Sequence, residues 1–228
     1  MIVGNGLIAS LFKEESVNDV VFFASGVSNS LETDKLQFQR EENLLRKTIG
    51  ENPNKIFLYF STCSVYDSSK AESAYVLHKL KMEQIVADTC SSYLILRLSN
   101  AVGSGGNPNL LMNYLVNSVR QGEAINVHTK ATRNLIDAQD IRALTLELLK
   151  KQQFNRIVNL AYIDNYTVIE ILEILESALD IKPNVNLIRV GAGYQIFIPN
   201  EVESYFIKNN LDNKQLYLRK IISSYYGK

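Results

Sequence analysis

The chain has 228 residues, enough for one domain with a substantial core or a domain plus a small lobe. Its 24 basic and 24 acidic side chains cancel, which excludes the positive field of a nucleic-acid binder. No apolar run approaches the roughly 20 residues that cross a bilayer, so no membrane role is expected. The opening MIVGNG lacks a leader's basic region and apolar stretch, and Cys63 and Cys90 suggest neither a metal site nor a disulfide framework. Together these predict a reduced, cytoplasmic protein.

Residues 1–12, MIVGNGLIASLF, read as a very short strand, a glycine turn and a helix start. Gly4, Gly6 and Ala9 make G-x-G-x-x-A, in which two glycines permit a tight turn and close approach of a pyrophosphate. The helix start at Leu7 and Ile8 then offers free N–H groups to phosphates. Asp19–Gly26, DVVFFASG, is an apolar strand ending in the small residues Ala24, Ser25 and Gly26. Residues 31–49 form a charged amphipathic helix, with Leu36, Leu44, Leu45 and Ile49 expected on its buried side. IFLYF (Ile56–Phe60) is a strand that ends in the hydroxyl pair Ser61-Thr62.

Tyr75 opens a periodic helical segment, YVLHKLKMEQIVA, running to about Ala87. Tyr75 and Lys79, four apart, share one helix face. His78 should point away from that face and be exposed. A phenol ionises at about pH 10 in water, and a nearby ammonium favours the phenolate, so this pair suits acid–base chemistry near neutral pH. Thr62 at the strand end is placed to hold the oxygen that gains or loses the proton. A Tyr-x-x-x-Lys pair alone is weak, because the chain holds a second, Tyr66 and Lys70, in a turn. Context selects Tyr75.

Ser92–Asn109 reads as a strand closed by a Gly/Asn/Pro loop, followed by a helix over Leu110–Arg120. Ala124–Lys150 carries a short strand with His128, a basic turn and a helix for which Asp140 is a plausible N-cap. Arg156–Ala161 is a buried strand, Thr167 opens a helix over Val168–Leu179, and the C-terminal tail closes in a helix.

STCSVY followed by YVLHKLKMEQIV, with Glu83 four residues beyond Lys79, resembles the extended short-chain dehydrogenase/reductases, the NAD-dependent epimerase/dehydratase group. R-x-x-N-x-x-G at Arg97, Asn100 and Gly103, and Arg133 before NLIDAQDI, extend the resemblance. It implies an α/β fold: a Rossmann-type, mostly parallel sheet with helices on both faces, plus a small C-terminal substrate lobe. Residues 1–105 would form the dinucleotide-binding domain, and 106–228 would complete the sheet and form the lobe. The family's second and third strands have no counterpart here, nor does the acidic residue about 20 positions after the glycines that holds the adenine ribose. DVVFF should then take the fourth strand's place, and a right-handed crossover would move the connecting helix to the opposite face of the sheet.

The resemblance further implies NAD(P)-dependent oxidoreduction of a nucleotide sugar, by an epimerase or ketoreductase of the kind used in polysaccharide biosynthesis. Thr62, Tyr75 and Lys79 would be catalytic. NAD or NADP would lie against Gly4, Gly6, Leu7, Ile8, Ala24, Ser25, Gly26 and Lys79. The sugar nucleotide would meet Ser64, Asn100 and Arg133. Asn43 matches the family's mid-helix Asn. Cys63 and Ser64 stand where 4,6-dehydratases carry Asp-Glu, which argues against dehydration. No metal is expected, and a homodimer is the assembly that relatives suggest. A non-catalytic relative binding a nucleotide sugar or dinucleotide without turnover is the alternative.

Overall fold

The computed structural model describes residues 1–15, 17–105, 107–108 and 110–227, so Gly106 and Asn109 of the expected loop lie outside the described residues. In chain order the first elements are β1 (Ile2–Val3), α1 (Leu7–Ser10), β2 (Val20–Phe23), α2 (Lys35–Glu51), β3 (Ile56–Thr62), α3 (Ala74–Thr89) and β4 (Tyr93–Leu98). Then come β5 (Asn100–Val102), α4 (Leu111–Gln121), β6 (Ile125–His128), β7 (Thr132–Arg133), β8 (Leu135–Asp137), α5 (Ala138–Lys150) and β9 (Arg156–Leu160). The chain closes with β10 (Tyr166–Thr167), α6 (Val168–Leu179), β11 (Val185–Ile188), α7 (Asn200–Lys208) and α8 (Lys214–Tyr225). It divides into two compact units: Met1–Leu98 with Ala138–Leu160, and Ser99–Asp137 with Ala161–Lys228.

The first unit carries a five-stranded sheet in the order β1-β2-β3-β4-β9, with every pairing parallel. It is the Rossmann-type α/β sheet expected. β2 lies between β1 and β3, the place of a fourth strand, and β1 is left as an edge. Strand side chains alternate, so Val21, Phe23, Phe57, Tyr59 and Ile95 share one face, covered by Leu45 of α2 and Met82, Ile85 and Val86 of α3. Phe22 and Phe60 face the other way, and there the Phe12 ring stacks on both, at centroid distances of 4.7 and 5.6 Å.

The β1–β2 connection therefore crosses the face opposite to α2. Both connections step one strand in the same direction between parallel strands, so they have opposite hands. A right-handed crossover to this place would lie on the α2 face, where the connecting helix was expected. The chain departs from that rule. The preference arises when a full helix packs back on the sheet, and α1 is a single turn of four residues. A phenylalanine covers the sheet instead.

α2 is capped by Asp34, which accepts from the Leu36 amide, and α3 by Ser73, which accepts from the Val76 amide. Leu45 is buried as expected, and Leu44 and Ile49 pack partly against the core. Leu36 is 76% exposed, because it sits in the first turn, clear of the cluster that the later turns of α2 cover. α5 begins at Ala138, so Asp140 is not its N-cap but a buried residue inside the first turn.

In the second unit β5 pairs parallel with β8, β6 parallel with β11, and β7 antiparallel with β10. Its core holds an aromatic stack: Tyr162 lies 4.0 Å from Tyr217, centroid to centroid, and Phe206 meets both edge-on. Thr167 opens α6 with a full capping box, its side chain and Glu170 each bonding the other's backbone amide. Among the described residues no helix is long and apolar enough to cross a membrane.

Candidate functional site

β3 ends at Thr62, whose hydroxyl accepts from the Ser64 amide at 3.0 Å. This caps a short 3-10 turn, Cys63–Tyr66, and holds Thr62 at the sheet's C-terminal edge, where open α/β sheets bind ligands. Ser64 follows, half-buried. Tyr75 lies in the first turn of α3, packed among Val27, Val76, Phe38 and Val65. One turn on, the Lys79 ammonium lies 6.0 Å from the Tyr75 ring centroid. Thr62, Tyr75 and Lys79 are all buried in the same unit.

Lys79 already has partners. Its Nζ donates to Glu41 Oε1 at 2.9 Å and to the Tyr59 hydroxyl at 3.2 Å. Glu41, on α2 and fully buried, also accepts from the Tyr59 hydroxyl at 2.8 Å and the Val27 amide at 2.7 Å, and its Oε2 lies 3.0 Å from His78 Nε2. A Cβ on Gly26 would come within 2.4 Å of Lys79 Nζ and 2.9 Å of Glu41 Oε1, so the pair sits flush on that glycine. Burial alone would raise the Glu41 carboxyl. The Lys79 charge, the His78 bond and the Val27 amide outweigh it and hold the group at about 2. Burial, then Glu41, pushes the Tyr59 hydroxyl well above its usual range.

His78 is thus a buried partner of Glu41, stacked at 4.6 Å on Phe38, and not the exposed residue expected. α2 packs along the flank of α3 that a lone helix would leave to water. Asn43, offered as the mid-helix Asn, is exposed and accepts from Gln39. The inward polar residue of α2 is Glu41.

A second buried network runs beside the first. Glu83 receives Arg97 through Nε at 2.9 Å and Nη2 at 2.6 Å, and Ser61 donates to it at 2.5 Å. Arg97 Nη1 also donates to the Tyr66 hydroxyl, which in turn bonds Asn159 Oδ1 at 3.0 Å. Burial opposes the Arg97 charge, but the Glu83 bonds raise it further above its usual range. Tyr66, the other candidate of its type, is part of this scaffold. The Cys63 thiol donates to the Arg97 carbonyl, and burial pushes it up, away from a thiolate.

At the glycine turn, Gly4 has φ +125°, and a Cβ there would meet the Ala24 carbonyl oxygen at 2.4 Å. Glycine at position 4 is therefore required by β2's end as well as by any ligand. A Cβ on Gly6 would meet nothing within 4 Å. Gly6 is the N-cap of α1 with no side-chain cap, so amides of that first turn, at Leu7 and Ile8, are left for another acceptor. Ala24, Ser25 and Gly26 follow β2 directly, half-buried. An open glycine face with uncapped amides fits the phosphates of a dinucleotide.

Two candidates belong to the second unit. Asn100 donates its amide to the Asn134 carbonyl at 2.7 Å, and Arg133 donates to the Thr132 carbonyl at 2.8 Å. Asn134 itself clasps the backbone around Tyr162, donating to the Tyr162 and Asp164 carbonyls and accepting from the Tyr162 amide. No metal-holding group of His, Cys, Asp and Glu occurs among the described residues.

A parallel five-stranded sheet with a glycine turn after its first strand is a Rossmann-type α/β architecture. Residues 4–161 match the NAD dependent epimerase/dehydratase family, and the chain belongs to it. NAD or NADP is that family's cofactor. No curated protein matches the sequence. Among solved structures, the UDP-N-acetylglucosamine 4-epimerase from Methanobrevibacter ruminantium, in complex with UDP-N-acetylmuramic acid, is similar at 19% identity and TM-score 0.70, over 98% of this chain and 82% of that one. RMD from Pseudomonas aeruginosa, complexed with NADPH, is 16% identical at TM-score 0.68, over 97% and 86%. The Bacillus cereus UDP-glucuronic acid 4-epimerase, solved with UDP-glucuronic acid and NAD, is 17% identical at TM-score 0.67, over 95% and 79%. At these identities the likeness is one of fold.

Proposed function

We propose that this protein carries out NAD(P)-dependent oxidoreduction of a nucleotide sugar, as an epimerase or ketoreductase. The observation that carries the reading is the placement of Thr62 at the end of β3 with Tyr75 and Lys79 in the first turns of α3, in a chain of an NAD-dependent family. When bound, the dinucleotide supplies or accepts a hydride. Tyr75 donates or takes the proton at the sugar oxygen, and Thr62 orients that oxygen with its hydroxyl. Lys79 steadies the proton-transfer end of the site. Gly4, Gly6, Leu7 and Ile8 approach the phosphates, with Ala24, Ser25 and Gly26 along the dinucleotide. Ser64, Asn100 and Arg133 are the residues assigned to the sugar nucleotide. Cys63 and Ser64 offer no carboxylate pair for loss of water, which favours epimerisation or ketone reduction over dehydration.

A non-catalytic relative is the second reading. It is favoured by α1 being one turn long and by the Glu41 carboxylate already holding Lys79. Calorimetric titration with NAD+, NADH, NADP+ and NADPH separates the two. Micromolar binding of one of them, followed by turnover of a nucleotide sugar that Tyr75→Phe abolishes, is the expected result. Absence of binding up to millimolar concentration would overturn the dinucleotide reading. Binding with turnover unchanged in Tyr75→Phe would overturn the acid–base assignment.

A further inference from the structure

An ammonium beside a phenol favours the phenolate only when its charge is uncompensated. Lys79 and Glu41 are 3% and 0% exposed at the side chain, 2.9 Å apart, and together carry no net charge. Solvent does not screen such a pair, so the carboxylate's field reaches the same neighbours as the ammonium's. Glu41 is also held in place from four directions: by Tyr59 from β3, by the Val27 amide beyond β2, and by Lys79 and His78 from α3. Glu83, one turn further along α3, faces the same region but is committed to Arg97 and Ser61.

We infer that Glu41 is a positioning residue that binds Lys79 into a net-neutral unit, cancelling the charge that would otherwise draw the proton from Tyr75. The resting site is thereby loaded to give a proton to a carbonyl oxygen, the role required for reducing a keto sugar. Oxidation of a sugar hydroxyl begins from the phenolate and therefore requires higher pH. This inference rests on Tyr75 being the acid–base group, and it narrows the proposed reaction toward ketone reduction. The signal in the sequence is the acid at position 41 itself, on a helix otherwise read only for its leucines and Asn43.

The test follows the 13C resonance of the Tyr75 ring carbon bearing oxygen, assigned by its loss in Tyr75→Phe, through an alkaline pH titration of protein labelled at tyrosine. Wild type is compared with Lys79→Gln and the Glu41→Gln/Lys79→Gln double variant, with no cofactor or substrate present. Lys79→Gln leaves a charged carboxylate unpaired several ångströms away and should raise the titration midpoint by about one pH unit or more. The double variant, with both charges gone, should return close to wild type. Equal upward shifts in Lys79→Gln and the double variant would show that Lys79 acts uncompensated, and an unmoved midpoint in Lys79→Gln would show that the pair's charges do not reach Tyr75; either result overturns the inference. Failed dinucleotide binding would leave this result standing, so the two readings fail separately.

Discussion

Two buried carboxylates stand on the same side of the first unit's sheet, and they are held in contrasting ways. Glu83 depends on one cation: Arg97 grips it through two nitrogens, and Ser61 donates beside it. Glu41 has four donors, from β3, α3 and the segment beyond β2, and Lys79 is one among them. A guanidinium fork is planar, permanently charged and fixed in direction, which suits a scaffold. An ammonium is a point charge on a flexible stem, free to turn without dismantling the carboxylate's other bonds. Of the two pairs the guanidinium one is the more rigid, and the ammonium one lies beside Tyr75.

The largest expected effect comes from breaking the rigid pair. Arg97→Met leaves Glu83 buried with Ser61 alone and should cost about 3–5 kcal/mol in urea unfolding. Lys79→Met leaves Glu41 three donors and should cost less, about 1–3 kcal/mol. Equal losses would erase the distinction.

Next is acid. Glu41 is held at about 2 in the fold, below the ordinary value of 4.5. Between those values the unfolded chain binds the extra proton, so stability is complete above about pH 4.5 and falls as pH drops toward 2. The loss should be on the order of 3 kcal/mol, at about 1.4 kcal/mol per tenfold change. Thermal unfolding across that window should show the slope in wild type and its reduction in Glu41→Gln. The smallest effect is Ser61→Ala, which removes one donor from Glu83 while the Arg97 fork remains. About 1 kcal/mol is expected, read as a shift in the urea midpoint at unchanged slope.

The strand ends and the helix carrying Tyr75 were legible because each has a local cause: an apolar run stopping at Ser61-Thr62 and a period of 3.6. The same holds for α6, where Thr167 and Glu170 are three residues apart. The order β1-β2-β3 followed from the family resemblance, in which a strand ending in small residues is the fourth. What escaped was set by distant neighbours. Glu41 meets Lys79 across 38 positions, and nothing in REENLLRK marks which acid turns inward. His78 and Leu36 were misplaced for one reason: helical periodicity fixes which residues share a face but not where a second helix covers it. β11 is exposed at all four residues, so it has no amphipathic signal, and α7 starts without a side-chain cap to mark its beginning. The single-turn α1 escaped because a glycine turn announces a helix start without fixing its length.

The interleaving of the two units bears on how the protein is made. β4 pairs on one side with β3 and on the other with β9, yet between β4 and β9 the chain leaves for residues 99–137 of the second unit. At ribosomal speeds of about 5–20 residues per second, the far edge of Tyr93–Leu98 stays unpaired for seconds while that excursion is synthesised. An open parallel edge flanked by apolar side chains is the kind of surface that other nascent chains pair with. The first unit's sheet is completed late, because β9 emerges only after that excursion.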